Sequence, residues 1–107
     1  MVYRVIFSLR AQAQLVHLHR HISEASSPAI GENYTTAIAE YCQGLTTFPH
    51  RGTTRDDVRP GLRMIGFRRR VTIAFTVDGD AVKILGVFYG GQDYESALRD
   101  DDEAENG

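Results

Sequence analysis

FPHRGTTRDDVRPGLRMIGFRRRVTIAFTVDGDAVKILGVFYGGQDY, residues 48–94, is the stretch on which the fold turns. Val71, Ile73, Phe75 and Val77 are interleaved with Thr72, Ala74 and Thr76, the two-residue period of a strand with one dry and one wetter face. Val82 to Tyr89 is apolar at nearly every position and predicts a strand buried on both faces. Its alternation places Val82, Ile84 and Phe88 on one side and Leu85, Val87 and Tyr89 on the other. Asp78, Gly79 and Asp80 supply the hairpin between these two strands, since glycine tolerates the positive φ of a tight turn. Leu62 to Phe67 reads as a further strand. Arg51, Arg55, Arg59 and Arg63 imitate a helical stripe, but Gly52, Pro60 and Gly61 lie inside it, so the segment is a loop.

Upstream of this stretch the chain supplies what such a sheet needs on one side. Tyr3 to Phe7 alternates and is rich in β-branched and aromatic residues, a strand with Tyr3, Val5 and Phe7 on one face. Ser8 is placed to cap a helix whose stripe is Ala11, Leu15, Leu18 and Ile22, with Arg10, His17, His21 and Glu24 opposite. Ser27 followed by Pro28 starts a second helix, because proline at the first helical position forfeits no hydrogen bond. Its apolar set runs Ile30, Tyr34, Ala37, Ile38, Tyr41, Cys42, Leu45 and Phe48 and stops before Pro49. Two amphipathic helices joined this closely predict an antiparallel hairpin. After Gly90 and Gly91, QDYESALR forms a short helix with Asp93 as its cap.

The resulting fold class is α+β. It has an N-terminal strand, an antiparallel helical hairpin, a three-stranded antiparallel meander and a short C-terminal helix, in a small, mostly antiparallel sheet with helices on one face. With 107 residues there is room for one core, so the expectation is one domain over 1–99 and an acidic, disordered tail over 100–107. The net charge of −2 conceals an asymmetry: setting aside Asp100, Asp101, Asp102, Glu103 and Glu105 leaves a body of +3 with its arginines gathered between 51 and 70. Such density suits phosphates or an acidic protein partner. A single cysteine, Cys42, permits no internal disulfide and favours a reducing cytoplasm. No secretory leader and no membrane-spanning run is legible.

One functional surface follows from patterning. A helical hairpin shields one face of a sheet, and the other would expose Leu85, Val87 and Tyr89 beside Thr72 and Ala74, rimmed by arginines. An apolar strip of this kind suits a bound peptide or protein segment. The alternative is that the C-terminal segment folds back over it. His17 and His21 share a helix face with Glu24 one turn on, a three-ligand metal arrangement, yet a polar helix face explains them without special geometry. No metal and no cofactor is expected.

The order strand, helix, helix, three strands, together with FPHRG, DDVRPGLRMIGFRRRVTIAF and ILGVFYGGQDYESAL, resembles the ParE branch of the RelE/ParE toxin superfamily from Tyr3 to about Leu98. The resemblance implies a cytoplasmic bacterial toxin of a type II toxin–antitoxin pair, neutralised by a ParD-like ribbon-helix-helix antitoxin and poisoning DNA gyrase. It implies neither membrane association nor direct DNA binding by the toxin itself. Arg51, Gly52, Arg59, Pro60, Gly61, Arg63, Phe88, Tyr89, Gly90, Gly91, Asp93 and Tyr94 occupy recurrent family positions. The candidates for target contact and toxicity are Arg51, Arg59, Arg63, Arg68, Arg69, Arg70, Tyr89, Asp93 and Tyr94. Those for antitoxin binding are Thr72, Ala74, Leu85, Val87 and Tyr89. No catalytic residue is assigned. The RelE branch of the same superfamily cleaves mRNA on the ribosome, but proton carriers are few here: one lysine, Lys83, with His50, Tyr89 and Tyr94. Ribonuclease activity and an inert binding-only paralogue are the alternatives.

Overall fold

The computed structural model describes residues 2–99; the acidic stretch 100–107 lies outside the described residues. The elements follow in the order β1 (Arg4–Phe7), α1 (Leu9–Ala25), α2 (Pro28–Gln43), β2 (Thr53–Thr54), β3 (Arg63–Phe67), β4 (Val71–Asp78), β5 (Ala81–Tyr89) and α3 (Tyr94–Arg99). The strands form one sheet in the order β1-β5-β4-β3-β2. All neighbours are antiparallel except β1 and β5, which run parallel from Arg4↔Ala81 to Phe7↔Ile84. The two-residue β2 is an addition to the four strands expected from patterning.

Both long helices begin as the sequence dictates. Ser8 Oγ accepts from the Ala11 amide at 3.1 Å and Ser27 Oγ from the Ile30 amide at 3.2 Å, each satisfying a first-turn donor that has no partner within the helix. Their stripes close over one sheet face, joining Ala11, Leu18, Ile38, Cys42 and Leu45 to Ile65, Phe67, Val71, Ile73, Phe75, Val82, Ile84 and Val87. Cys42 is fully buried there, and burial pushes its thiol up to about 12. The second helix ends sooner than expected. α2 gives way at Gly44 to a single tighter 3-10 turn that buries Leu45 and leaves Phe48 68% exposed, because the change of pitch rotates later positions out of the α-helical phase.

The decisive departure from patterning lies in β5. Ala74 pairs with Gly86 while Phe75 pairs with Ile84, so Leu85 is an additional residue bulged from the ladder. Each residue after a one-residue bulge changes face. Val87 and Tyr89 therefore join Val82 and Ile84 on the helix side, whereas Leu85 and Phe88 point to the other. The bulge is pinned by α1 and its cap: the Ser8 amide donates to the Ile84 carbonyl at 2.9 Å, Ser8 Oγ donates to the Leu85 carbonyl at 3.1 Å, and the Val87 amide donates to Gln14 Oε1 at 2.6 Å. Gly86 is required at this corner, since a Cβ would lie 2.5 Å from Phe88 Cε2.

The expected open second face is closed by the chain itself. Val58, Leu62, Met64, Ala74, Leu85, Phe88 and Leu98 form a second buried cluster, with Tyr94 and Ala97 packed against it. Leu98 comes from α3, and Val58 and Leu62 from the arginine-containing loop, so of the two alternatives the fold-back occurs. Arg55 ties the lid together. Its guanidinium bonds Asp57 through two nitrogens at 2.9 Å each, reaches Glu95 at 2.9 Å and donates to the Tyr94 hydroxyl at 3.4 Å. Asp57 is held below the usual carboxylate range chiefly by its hydrogen bonds from Arg55.

Candidate functional site

With the second face shut, the concavity that the bulge opens is on the helix side, between α1 and the end of β5. A groove of about 440 Å³ is lined by Arg10, Ala13, Gln14, His17, Leu18 and His21 from α1, Val87 and Tyr89 from β5, and Gln92 from the following turn. Its volume is that of a site for one or two side chains of a partner or a small ligand. Leu18 and Val87 give it an apolar floor. Gln14 is held by the Val87 amide, and Gln92 Oε1 accepts from the Tyr89 amide at 2.9 Å. At one end Arg10 donates to the Ala97 carbonyl at 3.2 Å, anchoring α3 to α1.

At the other end a chain of rings leads from the groove to the arginines. His21 meets Tyr89 edge-on at 5.8 Å between centroids, Tyr89 meets Tyr34 at 6.4 Å, and Tyr34 meets Phe67 at 6.0 Å. Tyr41 lies against Phe67 at 5.2 Å. The Arg68 guanidinium sits over Phe67 at 4.9 Å and Tyr34 at 5.6 Å, and that of Arg51 sits over Tyr41 at 5.8 Å. Desolvation, helped by the neighbouring Tyr89, raises the Tyr34 phenol above its ordinary value against an opposing pull from Arg68 and Arg70, so it remains a neutral hydroxyl at physiological pH.

The candidate residues thus fall into two groups. Val87 and Tyr89 line the groove; Arg68 connects to it through Tyr34 and Tyr89, Arg69 and Arg70 follow Arg68 in the β3–β4 turn, and Arg51 lies over Tyr41 with its carbonyl accepting from Arg63 Nη1 at 3.5 Å. Ala74 and Leu85, at 0% and 1% exposure, are sealed in the second cluster, and Thr72 is half-buried on the same face. Charging Leu85 would therefore test folding and not partner binding. Arg59 is half-buried in the covering loop, Tyr94 faces Phe88 at 6.0 Å, and Asp93 caps α3 by accepting from the Ser96 amide at 3.2 Å; hydrogen bonds from the Ser96 side chain and then from its amide hold the Asp93 carboxyl below the usual range.

The histidines do not assemble with Glu24. His17 and His21 line the groove, whereas Glu24 lies in a different depression with Val16, His19, Arg20, Ser23 and Pro28. Among the described residues no group of three or more His, Cys, Asp or Glu side chains is arranged to hold a metal ion. Patterning missed Ala13, Gln14 and Gln92. Gln14 carried a usable signal, since 10, 14, 17 and 21 form a polar stripe directly beside the buried one. Nothing in the sequence marks Gln92 as reaching back to the strand.

A family model described as the ParE toxin of type II toxin-antitoxin system, parDE, matches residues 5–94. The chain belongs to the ParE toxin family. Among solved structures, that of the chromosomal ParDE TA system from P. aeruginosa is similar, with a TM-score of 0.72 and 22% identity over 84% of this chain and 97% of that one, which establishes a shared fold. No curated protein matches. The ParE assignment covers the groove wall from α1, the arginines between 51 and 70 and the end of β5. No helix among the described residues of this ParE chain is long and apolar enough to cross a membrane.

Proposed function

We propose that this ParE-family chain is the toxin of a cytoplasmic toxin–antitoxin pair, neutralised by a ParD-like antitoxin and acting on DNA gyrase by binding, without chemistry of its own. The observation that carries the antitoxin half of this reading is the groove between α1 and β5: an apolar floor at Leu18 and Val87, left open by the described residues and bordered by Arg10, His17 and His21, with no carboxylate among the described residues that line it. An antitoxin segment with an apolar anchor and acidic flanks fits it. One anchor side chain buried there contributes about 1.5–3 kcal/mol, and the charged border mainly speeds association. The seat proposed for the antitoxin is therefore Val87 and Tyr89, not the face of Thr72, Ala74 and Leu85. The gyrase half rests on family likeness, with Arg51, Arg63, Arg68, Arg69, Arg70 and Tyr89 as the residues offered to the target.

Induced expression in a bacterial host tests both halves. Growth arrest relieved by a co-expressed ribbon-helix-helix antitoxin supports the toxin; unaffected growth supports an inert paralogue. Double-strand DNA breaks during arrest point to gyrase, and codon-specific mRNA cuts on ribosomes point to the ribonuclease alternative. Ala13→Arg fills the groove from an exposed position on α1 without entering the core. It should abolish rescue while leaving arrest intact, and rescue equal to that of the parent chain would remove the groove as the antitoxin's seat.

A further inference from the structure

Five arginines, Arg51, Arg63, Arg68, Arg69 and Arg70, have no carboxylate partner among the described residues. Arg4, Arg55 and Lys83 by contrast each meet a carboxylate, at 2.9 to 3.4 Å. Three of the five are consecutive at the tip of the β3–β4 hairpin, where strand pairing ends at Phe67↔Val71. Arg68 and Arg69 hold the left-handed backbone there, with φ of 50° and 64°. Asparagine or glycine adopts that region far more readily, and adjacent cations repel one another. Stacking on Phe67 and Tyr34 accounts for Arg68 within the fold. Among the described residues no carboxylate accounts for Arg69 and Arg70, which leaves two adjacent guanidinium groups open to an anion.

We propose that this arginine cluster binds the phosphate backbone of duplex DNA directly. Guanidinium groups offer paired N–H donors that match phosphate oxygens, and those of Arg51 and Arg68 are already held against rings, so less side-chain freedom is lost on binding. A duplex presents phosphates at roughly twice the linear density of a single strand, about one per 1.7 Å of axis, and so is the form that clustered guanidinium groups hold more tightly. Phe67, Tyr34, Tyr41 and Tyr89 are engaged with one another, with His21 or with a guanidinium, so these four rings are not free for stacking, whereas Phe48 is 68% exposed. No described helix carries these arginines into a groove to read base edges, so the contact is independent of sequence. This departs from the expectation that DNA contact belongs to the antitoxin alone. It goes beyond the toxin reading and does not rest on it, because it concerns the purified chain without gyrase or antitoxin.

The test is fluorescence anisotropy of the full chain with a labelled duplex of about 20 base pairs as salt is raised from about 50 to about 200 mM. Three or four phosphate contacts give a slope of log K against log salt of about −3 to −4, equal for two unrelated sequences. The double variant Arg69→Gln/Arg70→Gln should flatten that slope by about 2. Arg69→Asn relieves the backbone and provides the folding control: its thermal midpoint should equal or exceed the parent's while its slope falls by about 1. Absence of binding at the lowest salt, an unchanged slope in the double variant, or equal competition by single-stranded DNA or polyglutamate of matched charge overturns the proposal. Rescue of growth by antitoxin is read separately through Ala13→Arg, so failure here leaves the toxin assignment standing.

Discussion

Leu98→Ala isolates the lid that closes the second sheet face. Leu98 is 1% exposed and is the fully buried contribution of α3 to the cluster formed with Val58, Leu62, Met64, Ala74, Leu85 and Phe88. The substitution removes three carbon groups, about 2.4 kcal/mol at roughly 0.8 kcal/mol each. A cavity penalty of the kind seen in rigid interiors need not be added. α3 has six residues, too few to persist as a helix alone, and can undock while the sheet remains packed on α1 and α2. The expected outcome is local: about 2.4 kcal/mol corresponds to an increase of about 60-fold in the population with α3 undocked. Amide hydrogen exchange followed by mass spectrometry reads this directly. The peptide over 94–99 should gain deuterium about 60-fold faster, the peptide over 71–84 should change much less, and an apolar dye should begin to bind as Leu85 and Phe88 uncover. Unchanged exchange in α3 would refute its role as lid. Equal acceleration in α3 and the central strands would show that lid and body unfold as one unit.

Three further outcomes follow from packing and charge. Gly31 lies where a Cβ would collide with Ser23 Oγ and come 2.8 Å from the His19 carbonyl, so Gly31→Ala should cost about 1–3 kcal/mol in urea denaturation. Ser23 Oγ is buried without a hydrogen-bond partner, so adding Ser23→Ala should recover part of that loss. The depressed carboxyl of Asp57 contributes stability that is present above its unfolded value of about 3.9 and is lost as pH falls through its lower folded value. Exchange of the α3 amides should accordingly quicken in that acid window, and Asp57→Asn should remove that part of the pH dependence. The Cys42 thiol, buried and pushed up to about 12, should resist alkylation at pH 8 in the native protein and react readily in urea; rapid native labelling would contradict its burial.

Sequence alone determined the parts of this protein whose causes are local. Ser8, and Ser27 with Pro28, set where the helices start because capping geometry is settled within a turn. The alternation of Val71 to Val77 and the turn at Gly79 specified β4 and the hairpin into β5, and Asp93 was legible as the cap of α3. The same residues, read as motifs, carried the likeness to ParE toxins. Tertiary structure decided what depends on two distant segments at once. Whether β5 runs straight or bulges at Leu85 is settled by Ser8 and Gln14 docking on it from another element, and one inserted residue reverses the facing of every side chain beyond it. From that single phase change come the burial of Leu85, the turn of Val87 and Tyr89 toward α1, and the position of the groove. An apolar run such as KILGVFY has no alternation to report the shift, so its inward and outward sides were fixed only when the rest of the chain packed around it.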